Sequence, residues 1–162
     1  GVFVEWNVDE IPEDPRFASP EPPVMHPLLE VTRQAFVGAL VEDPDAAADR
    51  LCEVFGTTVT FRDPDAPIGS PRAGVSMGDC TLALYDFADS AATELWGRAM
   101  TRPRTHVMAL QVPDLEAAAT ALHDAGVGLV RRDDTQLVLD PAATAEVAVL
   151  IVDRLLPGDP RL

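Results

Sequence analysis

Residues Val41-Glu42-Asp43-Pro44-Asp45-Ala46-Ala47-Ala48, followed by Leu51, Gly56 and Arg62-Asp63, recur further along the chain. The second copy is Val112-Pro113-Asp114-Leu115-Glu116-Ala117-Ala118-Ala119, followed by Leu122, Gly126 and Arg132-Asp133, with Phe55 as the single insertion. Self-similarity held in register marks a repeated architectural unit, so this chain has to fold as a duplication. Each copy places an acidic residue where a helix begins and a glycine just past its end, with Pro44 at the first helical position.

A second echo joins the two ends. Gly1-Val2-Phe3-Val4-Glu5-Trp6-Asn7-Val8-Asp9, then Pro12 and Asp14-Pro15-Arg16-Phe17, aligns with Ala145 to Asp153, then Pro157 and Asp159-Pro160-Arg161-Leu162, with Leu156 as the extra residue. Residues 1–17 are therefore expected to be the closing strand and exit of a preceding or swapped repeat. Residues 18–32, rich in proline through Ser19-Pro20-Glu21-Pro22-Pro23 and Pro27, read as an extended connector, and 33–162 as one domain.

Within that domain the unbroken apolar run Ala35 to Val41 suits a strand buried on both faces. The spacing predicts a helix from Asp43 to Phe55 and strands at Thr58 to Arg62, Ala73 to Met77 and Cys80 to Tyr85, the last two joined through Gly78-Asp79. The second copy repeats this order: a strand from His106 to Val112, a helix from Asp114 to Ala125, then strands near Gly128 to Arg132, Gln136 to Leu139 and Val147 to Asp153. Each module is βαβββ (33–87 and 105–154), giving an α+β fold plus an N-terminal extra strand. A linking helix over Ser90 to Met100 carries Trp96.

Composition excludes several classes of function. Asp and Glu number 27 against 12 Lys and Arg, a net charge of −15, which opposes binding to nucleic acid or anionic membranes. The N-terminus lacks the pattern of a signal peptide and no apolar run is long enough to span a bilayer, so a cytoplasmic location is expected. Cys52 and Cys80 have no metal-type spacing and read as half-buried apolar residues. Pro67-Ile68-Gly69-Ser70-Pro71 reads as a turn, not a phosphate cradle.

Two tandem βαβββ modules, each with a first strand that ends in Val-x-Asp and leads into an alanine-rich helix, resemble the vicinal oxygen chelate superfamily. That superfamily includes glyoxalase I, bleomycin-resistance proteins and extradiol dioxygenases. The resemblance covers Arg33 to Asp153. It implies that, in metal-dependent members, inward-facing His, Gln or Glu residues on the first and last strands of both modules hold a divalent ion, which binds neighbouring substrate oxygens. The first-strand ligand of such proteins lies seven residues before the capping Asp, at Phe36 and Val107 here; the closing-strand positions are Ala83 and Val149. None offers a donor, so no metal cofactor is expected in the complete domain. Glu5 aligns with Val149 and is the candidate ligand of a divalent metal in the preceding or swapped domain.

The remaining candidates form a small-molecule cleft. Phe36, Tyr85 and Trp96 would supply aromatic walls, Arg62, Arg72 or Arg132 would meet an anionic or carbonyl group, and His106 lies one residue from the expected ligand position. The bland readings are core filling for the aromatics, solvated strand charges for the arginines and a backbone-bonded strand-start histidine. The sequence thus supports a glyoxalase/bleomycin-resistance-like binding or assembly domain without its own metal. The alternatives are part of a metal-dependent lyase, isomerase or dioxygenase with its active site in the other domain, or a purely structural partner of a catalytic half. The apolar head segment would be a costly exposed edge, so a homo-oligomer or pairing with an upstream domain is expected.

Overall fold

The structure, a computed structural model, describes residues 28–89, 104–145 and 147–162, with the backbone alone at 104–106. In chain order the elements are β1 (Arg33–Val41), α1 (Pro44–Phe55), β2 (Val59–Arg62), β3 (Ala73–Ser76), β4 (Thr81–Asp86), β5 (Arg104–Gln111), α2 (Leu115–Asp124), β6 (Leu129–Arg132), β7 (Gln136–Leu139), a 3-10 turn at Pro141–Ala143, and β8 (Ala148–Val152). Each module is βαβββ, as the duplication requires. The expected N-terminal strand and the linking helix at 90–100 lie outside the described residues.

All eight strands belong to one sheet, ordered β2-β3-β4-β1-β5-β8-β7-β6. Its centre is the antiparallel seam between β1 and β5, with parallel pairs β1–β4 and β5–β8 on either side. Read outward from the seam, the order is the same in both directions. The sheet therefore carries the twofold relation written in the sequence.

Local chemistry explains the helix ends. The Asp43 carboxylate accepts from the Ala46 N–H, and Gly56 closes α1 in the left-handed conformation at φ 64°. Asp114 does more, accepting from the N–H groups of both Glu116 and Ala117. Asp114→Ala is therefore expected to cost about 1 kcal/mol, and Asp43→Ala somewhat less, read as shifts in the urea midpoint. No change at either site would mean that water replaces the caps without loss.

Both helices cover the same face of the sheet. α1 packs through Ala48 on Ala39, Val41, Ala73, Val75, Leu82 and Leu84. Its counterpart α2 packs through Ala118, Ala119 and Leu122 on Val112, Leu137, Val149 and Ile151. Leu28, Leu29 and Val31, the end of the proline-rich connector, join that second layer, so the connector is docked over its last residues. The opposite, inner face holds a third cluster that crosses the seam: Ala35, Phe36, Leu40, Ala83, Tyr85, Val107, Ala109, Val138, Ala148, Leu150 and Val152.

Candidate functional site

Strand pairing fixes which residues look inward. Phe36 stands beside Thr81 and Gly38 beside Ala83, while in the second module Val107 stands beside Ala148 and Ala109 beside Leu150. Phe36, Ala83 and Val107 are on the inner face, as the resemblance implies. Val149 is not: it packs under α2, and the true counterpart of Ala83 is Leu150. A one-residue offset on a strand reverses the face, and the head-to-tail alignment carried that offset into the argument for Glu5. Glu5 itself lies outside the described residues.

Tyr85 and Phe36 meet in the same buried cluster, and Tyr85 is 1 % exposed. Gly38 is what admits the tyrosine. A Cβ at Gly38 would lie 2.8 Å from Tyr85 Cε2 and 2.6 Å from Val107 Cβ. The ring therefore lies across β1 in the space that glycine leaves. The second module uses Ala109 and Val152 at the corresponding places, a smaller ring-free pair.

The arginines separate. Arg62 is tied to Asp45 and Asp49 and Arg132 to Glu116, all on the helices, so neither faces a cleft. This corrects their assignment as ligand contacts: the same repeat position serves the same exposed strand-to-helix ion pair, a weak one. Arg72 differs. Its backbone N–H bonds to Leu84 O, and strand alternation puts its side chain beside Tyr85 on the inner side, where Nη1 donates to Pro64 O. It has no carboxylate partner among the described residues. Trp96 lies outside the described residues, as does the side chain of His106, whose backbone is in β5. A cavity of about 230 Å³ opens instead on the helical side, lined by Leu28, Leu29, Val112, Pro113 and Ala118 among others.

The residues after β8 form the most polar part of the inner side, and sequence reasoning did not assign them a site role. Leu155 and Leu156 pack against the inner cluster. The chain then turns at Gly158, φ 69°, where a Cβ would stand 2.5 Å from the Thr60 carbonyl oxygen. Asp159 is 3 % exposed; its Oδ2 accepts from the buried Thr81 hydroxyl at 2.8 Å and from Arg161 Nη2 at 2.9 Å. Arg161 also donates to the β1 carbonyls of Gln34 and Ala35. A β-turn closed by Leu162 N–H to Asp159 O, with Pro160 second, holds the pair. The one available sequence signal was the Asp-Pro dipeptide, a turn initiator; nothing in it foretold a buried charge.

The Arg161 guanidinium holds the Asp159 carboxyl at about 2, with the Thr81 hydroxyl adding to the effect. A carboxyl lowered on folding contributes its stability above the unfolded value near 3.8 and loses it as pH falls toward 2. The expected loss over that window is about 2 kcal/mol, seen in the urea midpoint and absent in Asp159→Asn. An unchanged slope in that variant would assign the acid sensitivity to other carboxylates.

A divalent ion does not fit these inner positions. Phe36, Ala83, Val107 and Leu150 offer no nitrogen or oxygen ligand, and no cluster of three or more His, Cys, Asp or Glu occurs among the described residues. No helix among them is long and apolar enough to cross a membrane.

An eight-stranded sheet of two βαβββ modules joined at their first strands defines the fold of one superfamily, and its family model, Glyoxalase/Bleomycin resistance protein/Dioxygenase superfamily, matches residues 33–138. The chain belongs to that superfamily. The structure is similar to methylmalonyl-CoA epimerase from Mycobacterium tuberculosis, at TM-score 0.62 and 22% identity, covering 83% of this chain and 95% of that one. A Streptomyces coelicolor methylmalonyl-CoA epimerase in complex with 2-nitronate-propionyl-CoA gives TM-score 0.64 and 20% identity over 78% of this chain and 99% of its own. A hypothetical protein from Bacillus halodurans C-125 gives 0.59 and 14% over 76% and 95%. No curated protein sequence matches the chain.

Proposed function

We propose that this chain is a metal-free member of the superfamily that binds a small molecule or an assembly partner and performs no metal-dependent chemistry of its own. The observation that carries the reading is the inner face, where Phe36, Ala83, Val107 and Leu150 form one apolar cluster in place of a donor set. Arg72 beside Tyr85 supplies the polar group at the edge of that cluster, the pairing expected of an apolar site that orients its ligand through a few polar contacts. The proposed ligand contacts are Phe36, Arg72, Tyr85, Trp96 and His106. Residues 1–17 are proposed to close a preceding or swapped repeat, 18–32 to connect, and 33–162 to form the binding domain, working in the cytoplasm as a homo-oligomer or against an upstream domain.

Elemental analysis and calorimetric titration with Mn²⁺, Co²⁺ and Zn²⁺ test the reading. The expected result is no stoichiometric ion and no epimerisation of methylmalonyl-CoA with any of these metals present. One ion bound per chain at the sheet centre would overturn it.

Leu155 and Leu156 filling the inner cluster favour a second reading, a structural half that supports a catalytic one. In that case activity would require the upstream domain, and Phe36→Ala would leave it unchanged.

A further inference from the structure

The segment Leu155–Leu162 lies over the inner side of the first module, although it follows the last strand of the second. Leu155 and Leu156 supply apolar contact; beyond them the segment is held by a compact polar set. Thr81 Oγ1 donates to Asp159, and Arg161 donates to Gln34 O at 2.8 Å and to Ala35 O. The remaining bonds lie within the segment: Asp159 N–H to Leu156 O, Arg161 N–H and Nε to Asp159 Oδ1, Arg161 Nη2 to Asp159 Oδ2, and Leu162 N–H to Asp159 O. The polar bonds between the segment and the sheet are thus the three made by Thr81 and Arg161, and the rest are made within the turn. Gly158 lies against the backbone of Thr60, whose buried hydroxyl, beside Gly74, has no hydrogen-bond partner among the described residues. Leu162 is 80 % exposed.

We propose that Leu155–Leu162 is a reversible latch, seated in cis on the inner face of the first module, whose local opening uncovers Thr60, Thr81 and the β1 carbonyls without unfolding the sheet. The seat reads the sequence Gly-Asp-Pro-Arg. Glycine is required at 158 by its positive φ and by the Thr60 carbonyl against it, the acid by Thr81, and the arginine by two carbonyls in a row. The head of the chain repeats the motif as Asp14-Pro15-Arg16-Phe17 but has Glu13 where the tail has Gly158. A glutamate cannot occupy the place of Gly158, so a peptide of that sequence is not expected to take this seat. A small molecule that displaces the latch must offer an acceptor to Thr81 and N–H donors to the carbonyls of Gln34 and Ala35, as a guanidino or amidino acid does.

Hydrogen exchange on the intact protein tests this directly. Amides of Asp159, Arg161 and Leu162 are expected to exchange through an opening that is insensitive to low urea and at least tenfold more frequent than exchange of the β4 amides. Arg161→Ala should raise exchange of the tail amides at least tenfold further and leave β4 unchanged. In that full-length variant, the peptide Pro-Gly-Asp-Pro-Arg-Leu should broaden the Thr81 and Ala35 resonances at millimolar concentration, and Pro-Glu-Asp-Pro-Arg-Phe should not. Tail amides that exchange only with global unfolding, with the same urea dependence as β4, would overturn the latch. Equal binding of the two peptides would overturn the glycine requirement on which the seat rests.

Discussion

Gly38→Ala is expected to lower unfolding stability by about 3 kcal/mol or more, a large share of what a domain of this size has. The added methyl would meet two neighbours at once, Val107 Cβ at 2.6 Å and Tyr85 Cε2 at 2.8 Å. The tyrosine ring could turn aside, but Val107 Cβ is fixed to the backbone of β5 and can retreat only if the central seam opens. That seam joins the two modules, so strain there is felt by both. Urea unfolding checks the value. A loss under about 1 kcal/mol would show that β1 and β5 separate more easily than a packed interior allows.

Tyr85→Ala is expected to cost about 3–5 kcal/mol, because it empties the largest fully buried side chain among the described residues. The two substitutions should not add. Alanine at 85 removes one of the two clashes that alanine at 38 creates, so the double variant should be more stable than the sum of the single losses by roughly 1 kcal/mol. Strict additivity would mean that the ring does not occupy the space above Gly38 in solution. Since Tyr85 is also a proposed ligand contact, Tyr85→Phe is the variant for binding studies: it keeps the volume and changes only the phenol.

The sequence repeat predicted much of the architecture because its signals are local and physical. Asp43 and Asp114 cap their helices as acidic residues before alanine-rich runs do, and the order of elements along the chain follows from placing two copies of one unit in register. Arg62 and Arg132 are legible as exposed strand charges, but their partners Asp45, Asp49 and Glu116 come beside them only when the helices dock. The closing-strand register was harder. Ala148 to Val152 is apolar at every position, so alternation gives no sign of which residues face inward and does not separate Val149 from Leu150. Gly38 was illegible for a different reason: the need for a missing side chain depends on where Tyr85 and Val107 arrive from distant parts of the chain. Asp159 and Arg161 resemble any charged, turn-forming tail until the sheet positions Thr81, Gln34 and Ala35 around them.

The bonds from Arg161 to β1 span 127 and 126 residues, nearly the whole described chain. During synthesis β1, α1, β2, β3 and β4 are all made, and can begin to pack, before Asp159 and Arg161 are translated. The first module therefore waits, with the Thr81 hydroxyl and two carbonyls uncovered, for the polypeptide that will close it. Contacts of such long separation form late and slowly. In that interval the nascent first module presents an apolar face to chaperones and to other nascent chains, and a message cut short after β8 would leave it in that condition permanently.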